Sequence, residues 1–276
     1  MIRELNADAA ALAQRFRDGT ARVGVIGLGY VGLPICLAAA NAGLDVLGFD
    51  IDPDKPEKLE TGLSYLRHIP ADEIAQAWQS GRFRATSDFT RLGEPDALLI
   101  CVPTPLTAHL EPDLSFVEST AREIARHLRP GQIVILESTT YPGTTDEVLK
   151  PIIESHDLTV GRDVHLAFSP EREDPGNARF TTSSIPKVVG ADTPEALEIA
   201  AALYANFVET VVPVTSSRVA EAVKLTENIF RAVNIALVNE LKLVYEPMGV
   251  DIWEVIDAAK TKPFGFMPFY PGPGLG

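Results

Sequence analysis

Three groups of residues in this chain have types and spacings suited to chemistry. Gly27-Leu28-Gly29-Tyr30-Val31-Gly32 follows an apolar run and opens a helical one. In that setting the first glycine permits a tight turn, the second lets a backbone approach a pyrophosphate, and the third lets helix and strand pack closely. Unpaired N–H groups at the helix N-terminus then face the phosphate charge. Asp50 ends the next apolar run, 18 residues after Gly32. A carboxylate there accepts from ribose hydroxyls and repels a 2′-phosphate, so the pattern points to NAD rather than NADP. Lys55 is placed to reach the same ribose, with a solvated loop lysine as the equal alternative.

The second group is rich in hydroxyls. Cys101-Val102-Pro103-Thr104-Pro105 closes one apolar run, and Glu137-Ser138-Thr139-Thr140-Tyr141-Pro142-Gly143-Thr144 closes another. Ligands of open parallel sheets bind beyond the carboxyl ends of the strands. Thr104, Ser138 and Thr139 are therefore placed for a cofactor or a reactive water, and helix capping explains such hydroxyls equally well.

The third group carries charge. Phe168-Ser169-Pro170-Glu171-Arg172-Glu173-Asp174-Pro175-Gly176-Asn177 puts three carboxylates and an arginine in one loop, which most often means a solvated cluster. Lys224 and Asn228 stand at i, i+4 on one helix face. Together they could stabilise a developing oxyanion, although an ordinary surface pair is the commoner explanation. The five histidines show no metal spacing, so no metal site is expected, and no Ser–His hydrolase pattern occurs. Cys36 and Cys101 read as small buried residues rather than nucleophiles.

The elements that must position these residues are legible from periodicity. Leu5, Ala9, Leu12 and Phe16 recur at helical spacing and Gly19 closes that helix. Strands are expected at 22–26, 45–49, 83–85, 97–102, 132–136, 164–168, 187–189 and 208–214. Helical patterns lie between them at 31–42, 53–61, 71–79, 114–128, 144–155 and 194–205. Strands separated by helices predict a doubly wound α/β fold, a parallel sheet covered on both faces. After Pro213 the pattern changes: residues 216–246 contain no Gly or Pro and repeat apolar residues at helical spacing, predicting a helix of about 45 Å at 1.5 Å per residue. A helix that long bridges domains or subunits. A short helix at 252–259 and a Gly/Pro-rich tail follow, and the tail reads as cut short.

Composition narrows the function class. Apolar residues make up 46% of the 276 and charged residues 22%, as in an ordinary globular protein. Thirty-eight acidic against 24 basic residues give a net charge of −14, which argues against nucleic-acid and anionic-membrane surfaces. The uncharged stretch 23–44 is long enough to span a bilayer, but five internal glycines before Leu44 and Pro34 read as a buried strand, turn and helix. With no signal-peptide core and two cysteines that fit no disulfide framework, the expected location is cytoplasmic.

Taken together, the motifs resemble the UDP-glucose/GDP-mannose dehydrogenase family, which oxidises nucleotide sugars at C6 with NAD. The resemblance covers nearly the whole chain and rests on GLGYVGLP (27–34), CVPTPL (101–106), ESTTYPGTT (137–145), FSPEREDPGN (168–177), EAVKLTENIFRAVNIALVNEL (221–241) and TKPFGFMPFYPGPGLG (261–276). The loop and tail are most similar to the branch acting on UDP-N-acetylglucosamine or a close N-acetylhexosamine relative, with UDP-glucose as the alternative. The resemblance implies a four-electron oxidation through an aldehyde and a cysteine thioester, using two NAD⁺. It implies that Lys224 and Asn228 stabilise the alkoxide or oxyanion, that Thr139 holds water, and that Glu171 does acid–base work, with Glu171 and Arg172 also facing substrate. Pro175 stands where the family has a second Glu. Gly27, Gly29, Tyr30, Val31, Gly32, Asp50, Thr104 and Ser138 match cofactor contacts. Phe269, Tyr270 and Gly272 match part of a substrate loop. It further implies an NAD-binding domain over 1–214, a central helical domain from 215 to 276 that dimerises through the 216–246 helix, and a missing UDP-binding domain. The family's nucleophilic cysteine lies beyond Gly276, so this chain is expected not to complete the second oxidation, leaving a non-catalytic NAD-binding module as a further reading.

Overall fold

The computed structural model describes residues 6–172 and 182–273. Leu5, Glu173, Asp174 and Pro175 lie outside the described residues. Two compact units divide between Ala222 and Val223.

The first unit is built on one eight-stranded sheet. Its strands are β1 (Arg22–Ile26), β2 (Asp45–Phe49), β3 (Phe83–Thr86), β4 (Ala97–Ile100), β5 (Ile133–Leu136), β6 (His165–Phe168), β7 (Lys187–Ala191) and β8 (Val211–Val214). Their spatial order is β3-β2-β1-β4-β5-β6-β7-β8, so the chain reverses its direction of winding between β1 and β4. That reversal opens a crevice at the carboxyl ends of those two strands, where doubly wound sheets hold their ligands. The strands β4 and β5 are buried at every position, which is why their sequences lack polar alternation.

Helices α1 (Ala7–Arg17), α2 (Gly32–Asn41), α3 (Asp54–Glu60), α4 (Ala71–Gln79), α5 (Ser115–His127), α6 (Lys150–Ile153) and α7 (Pro194–Tyr204) flank the sheet. Helix α1 is capped by the Asn6 side chain, which accepts from the N–H groups of Asp8 and Ala9. It buries Ala9, Leu12 and Phe16, the helical-period residues of the sequence. The 23–44 stretch is β1 followed by α2, both largely buried in this core. No helix among the described residues is long and apolar enough to cross a membrane.

Three local expectations need correction. The sheet is not wholly parallel: β7 runs antiparallel to β6, with Phe168 opposite Gly190. The segment 144–155 is not one helix but a π-helical turn at Thr144–Leu149, then α6, then a 3₁₀ turn at Glu154–His156. Pro151 supplies no N–H to an α-helical ladder, and the Lys150 N–H reaches back to the Thr145 carbonyl instead. The last strand begins at Val211 rather than Val208, because the Val208 N–H closes α7 by donating to the Tyr204 carbonyl.

Helix α8 (Ser217–Tyr245) is 29 residues long, and its first turns belong to the first unit. There it packs tightly: a Cβ on Gly190 would fall 2.7 Å from the Ala220 Cβ and 2.2 Å from the carbonyl oxygen of Ser216, just ahead of the helix. The second unit holds the rest of α8 and α9 (Ile252–Ala259), with Val238, Ile252 and Ile256 as its small core.

Candidate functional site

Each glycine of the 27–32 loop meets a different constraint. Gly27 has φ of +95°, and a Cβ there would lie 2.6 Å from the Cys101 carbonyl oxygen. A Cβ on Gly32 would lie 1.9 Å from the Gly27 carbonyl oxygen, so only glycine lets α2 start this close to β1. A Cβ on Gly29 would meet nothing within 4 Å. Packing therefore explains two of the glycines and leaves the third facing open space, as a backbone approached by a ligand must.

That space is a cavity of about 380 Å³ at the β1–β4 reversal, walled by Gly29, Tyr30, Val31, Asp50, Pro103 and Phe116 among others. Asp50 is buried at its edge. Its Oδ2 accepts from the Leu28 N–H at 2.8 Å and from Lys55 Nζ at 2.7 Å, and its Oδ1 accepts from the Asp52 N–H at 3.0 Å. A carboxylate has about four acceptor positions, so one lone pair is left for a further donor such as a ribose hydroxyl. Lys55 thus holds Asp50 rather than standing solvated. The cleft combines an anion-binding helix start, an acidic residue and apolar walls, which fits an adenine dinucleotide.

Thr104 and Ser138 are not among the residues lining that cavity. Thr104 Oγ1 donates to the Thr139 carbonyl at 2.7 Å, and Ser138 Oγ donates to the Val102 carbonyl at 2.6 Å. These hydroxyls latch the loops after β4 and β5 together, a role distinct from helix capping. Beside them the Thr140 hydroxyl is buried with no partner among the described residues. A buried hydroxyl in that state is a place for a water or a ligand oxygen.

Beneath the latch lies an ionic cluster that sequence reasoning missed. Glu137 is fully buried; Lys187 Nζ stands 2.5 Å from its Oε2, and the Tyr204 hydroxyl donates to its Oε1. Burial and the adjacent Glu137 carboxylate push the Tyr204 phenol well above its ordinary pKa, so it stays a donor. Lys187 Nζ also donates to the Pro170 carbonyl at 3.3 Å, next to Glu171. Arg172 donates to the Pro186 carbonyl at 2.7 Å. Glu171, Arg172 and Lys187 border a cavity of about 20 Å³, room for about one water.

Glu221 is missed as well. Fully buried on the first turns of α8, it accepts from the Gly143 N–H at 2.6 Å, the Thr145 N–H at 2.8 Å and the Thr145 hydroxyl at 2.6 Å. It therefore anchors the far end of the 137–145 motif. Its only sequence signal is an acidic residue one turn ahead of Lys224 in a patterned helix.

The remaining candidates belong to the second unit. Lys224 and Asn228 are half-buried on α8, and the Asn228 side-chain oxygen accepts from Arg231 at 2.6 Å. Phe269 meets Phe230 edge-on with ring centroids 5.6 Å apart. Gly272 is held by both ends of the Asn239 amide, at 2.8 and 3.0 Å. The Tyr270 hydroxyl donates to Asp257 at 2.8 Å, and the Lys260 ammonium, then this phenol, hold the Asp257 carboxyl below its usual range. No group of three His, Cys, Asp or Glu among the described residues could hold a metal ion.

Comparison with known proteins bears on both units. Residues 21–208 match the NAD binding domain of the UDP-glucose/GDP-mannose dehydrogenase family, and residues 218–276 match that family's central domain. The chain is 38% identical to UDP-N-acetyl-D-glucosamine 6-dehydrogenase of Pseudomonas aeruginosa over 91% of its own length and 59% of the relative's. It is 40% identical to UDP-N-acetyl-D-mannosamine dehydrogenase of Escherichia coli K12, over 93% of this chain and 62% of that one. The structure of the UDP-D-ManNAc dehydrogenase from Pyrococcus horikoshii superposes with a TM-score of 0.86 at 35% identity, covering 91% of this chain and 60% of that one. The chain thus spans about 60% of the length of the curated relatives it matches.

Proposed function

Since the chain belongs to the UDP-glucose/GDP-mannose dehydrogenase family, we propose that it carries the cofactor side, and part of the sugar side, of an enzyme oxidising C6 of UDP-N-acetylglucosamine or a close UDP-N-acetylhexosamine to the uronic acid. The observation that carries the cofactor half is Gly29, whose missing side chain opens onto the cleft beside Asp50. The identities to dehydrogenases named for UDP-N-acetylglucosamine and UDP-N-acetylmannosamine support the substrate half over UDP-glucose.

In this reading 1–214 is the NAD-binding domain and 215–276 belongs to a central helical domain. NAD⁺ supplies the hydride acceptor. The N–H groups at the start of α2 hold its phosphates, and the spare lone pair of Asp50 holds its ribose. Thr139 and the neighbouring Thr140 hydroxyl keep a water at the carboxyl edge of the sheet. Glu171 moves protons there, and Lys224 with Asn228 stabilises the developing oxyanion. Arg172, Phe269, Tyr270 and Gly272 contact the nucleotide sugar.

Thioester chemistry needs a thiolate. Cys36 is fully buried and its thiol is pushed far above its ordinary pKa by that burial. Cys101 forms part of the cofactor cleft wall. Neither supplies a nucleophile, so these 276 residues alone stop short of the acid. Val233 and Leu237 on α8 are more than half exposed, which supports a homodimer through this helix. The site of action is cytoplasmic.

Titrating the chain with NAD⁺ and NADP⁺ by calorimetry tests the cofactor half, with NAD⁺ expected to bind tighter. Incubation with UDP-N-acetylglucosamine, UDP-N-acetylmannosamine and UDP-glucose tests the rest, and two NADH per sugar from this chain would contradict the proposal. NAD⁺ binding with no turnover on any sugar is the outcome that would replace this proposal with a non-catalytic binding module.

A further inference from the structure

The segment between α3 and α4 has no role in the reading above, yet it touches the glycine loop twice. Leu28, between the first two glycines, has both backbone polar groups taken by side chains. Its N–H donates to Asp50, and its carbonyl accepts from the Tyr65 hydroxyl at 2.7 Å. Burial, with Cys36, Asp50 and Asp52 adding to it, pushes the Tyr65 phenol up, so it remains a donor. Two residues from Leu28, the Tyr30 ring is 61% exposed and stacks on His68, with centroids 5.5 Å apart and planes 11° from parallel. The segment is itself fixed, since Leu66 and Ile69 are buried in the core.

Both stacked rings are exposed, so their contact buries little and contributes little to folding. What it restricts is Tyr30, which walls the dinucleotide cleft. We infer that Tyr65 and His68 are positioning residues for the dinucleotide, gripping the glycine loop at Leu28 and Tyr30 so that its N–H groups are ordered before the ligand arrives. A loop ordered in advance loses less freedom on binding. The inference rests on the NAD-binding reading above.

The test measures the dissociation constant of NAD⁺ and the melting temperature for the full chain and three variants. Tyr65→Phe removes one hydrogen bond and is expected to weaken NAD⁺ about 3- to 10-fold. His68→Ala removes the stack and is expected to weaken it by a similar factor of about 3 to 10, with the melting temperature unchanged. His68→Phe retains a stacking ring and should restore the wild-type affinity. Binding by the wild type with all three variants within about twofold of it would overturn the inference. So would a Tyr65→Phe variant that lowers the melting temperature without moving the affinity, or a His68→Ala loss that His68→Phe leaves unrestored. A wild-type chain that fails to bind NAD⁺ at all would overturn the cofactor reading itself, a result distinguishable because no variant is needed to see it.

Discussion

Lys187 Nζ lies 2.5 Å from Glu137 Oε2, joining the start of β7 to the end of β5 beneath the candidate reaction edge. Glu137 has no exposure and Lys187 very little, so each charge depends on the other for solvation. Lys187→Met strands a buried carboxylate and is expected to cost about 3–5 kcal/mol in urea unfolding. Adding Glu137→Gln to that variant should recover part of the loss, which a double-mutant cycle reads directly.

The glycine loop separates binding from folding. Gly29→Ala meets no atom, so the melting temperature should stay put while NAD⁺ weakens by about tenfold or more, equivalent to about 1.4 kcal/mol. Gly32→Ala drives a methyl into the Gly27 carbonyl, which cannot rotate away, and should cost about 3 kcal/mol of stability. Calorimetric binding and thermal melts of both variants check the pair.

Glu221→Ala leaves two buried N–H groups and a hydroxyl at 143–145 without their acceptor. A buried donor left unsatisfied costs about 1–3 kcal/mol, so a loss of at least about 2 kcal/mol is expected in urea unfolding. Glu221→Gln keeps one acceptor and should fall between.

Acid should weaken the fold in two stages. Burial pushes the His165 pKa below its ordinary 6.5, and its Nδ1 has no partner among the described residues. The unfolded chain therefore binds that proton more readily, and stability falls as pH drops below about 6.5. Asp96 is held below its ordinary 3.8: burial opposes this, but the Arg22 N–H and the Arg129 and Arg15 guanidinium groups outweigh it. Its contribution is present above about pH 3.8 and is lost as pH falls towards its lower folded pKa. Urea midpoints across pH should show His165→Gln flattening the first stage and Asp96→Asn the second.

If α8 is the dimer surface, charge there should dissolve it. Val233→Asp with Leu237→Lys, both on the exposed apolar face, should shift sedimentation from dimer to monomer with NAD⁺ affinity retained.

The candidate cofactor cleft is legible in sequence because its signals are local. Gly27 to Gly32, the run before them and Asp50 fall within one strand–helix–strand stretch, and each residue type has one physical reason to stand there. The helix 252–259 and the long helix emerged from period alone, the latter within a residue of its observed ends. Lys187, Glu137 and Tyr204 were not readable, since the pairs lie 50 and 67 residues apart and no spacing rule joins them. Glu221 reaches 76 to 78 residues back to its partners. The direction of β7 escaped for a related reason: a strand's polarity is set by the connection before it, and periodicity within the strand is blind to that.

That polarity decides what the sheet can offer its ligands. Parallel strands bring only their last residues to the carboxyl edge, so anything placed there must come from a strand's end or the loop beyond it. By entering in the opposite sense, β7 presents its first residue at that edge. The ladder ends at the Phe168–Gly190 pair, and beyond it Lys187 Nζ reaches the Pro170 carbonyl at 3.3 Å, next to Glu171. A cation is thereby delivered to the rim without a longer loop. Because side chains alternate between faces, a one-residue slip in the pairing register of β7 would turn Lys187 to the other side of the sheet and leave Glu137 facing an apolar neighbour.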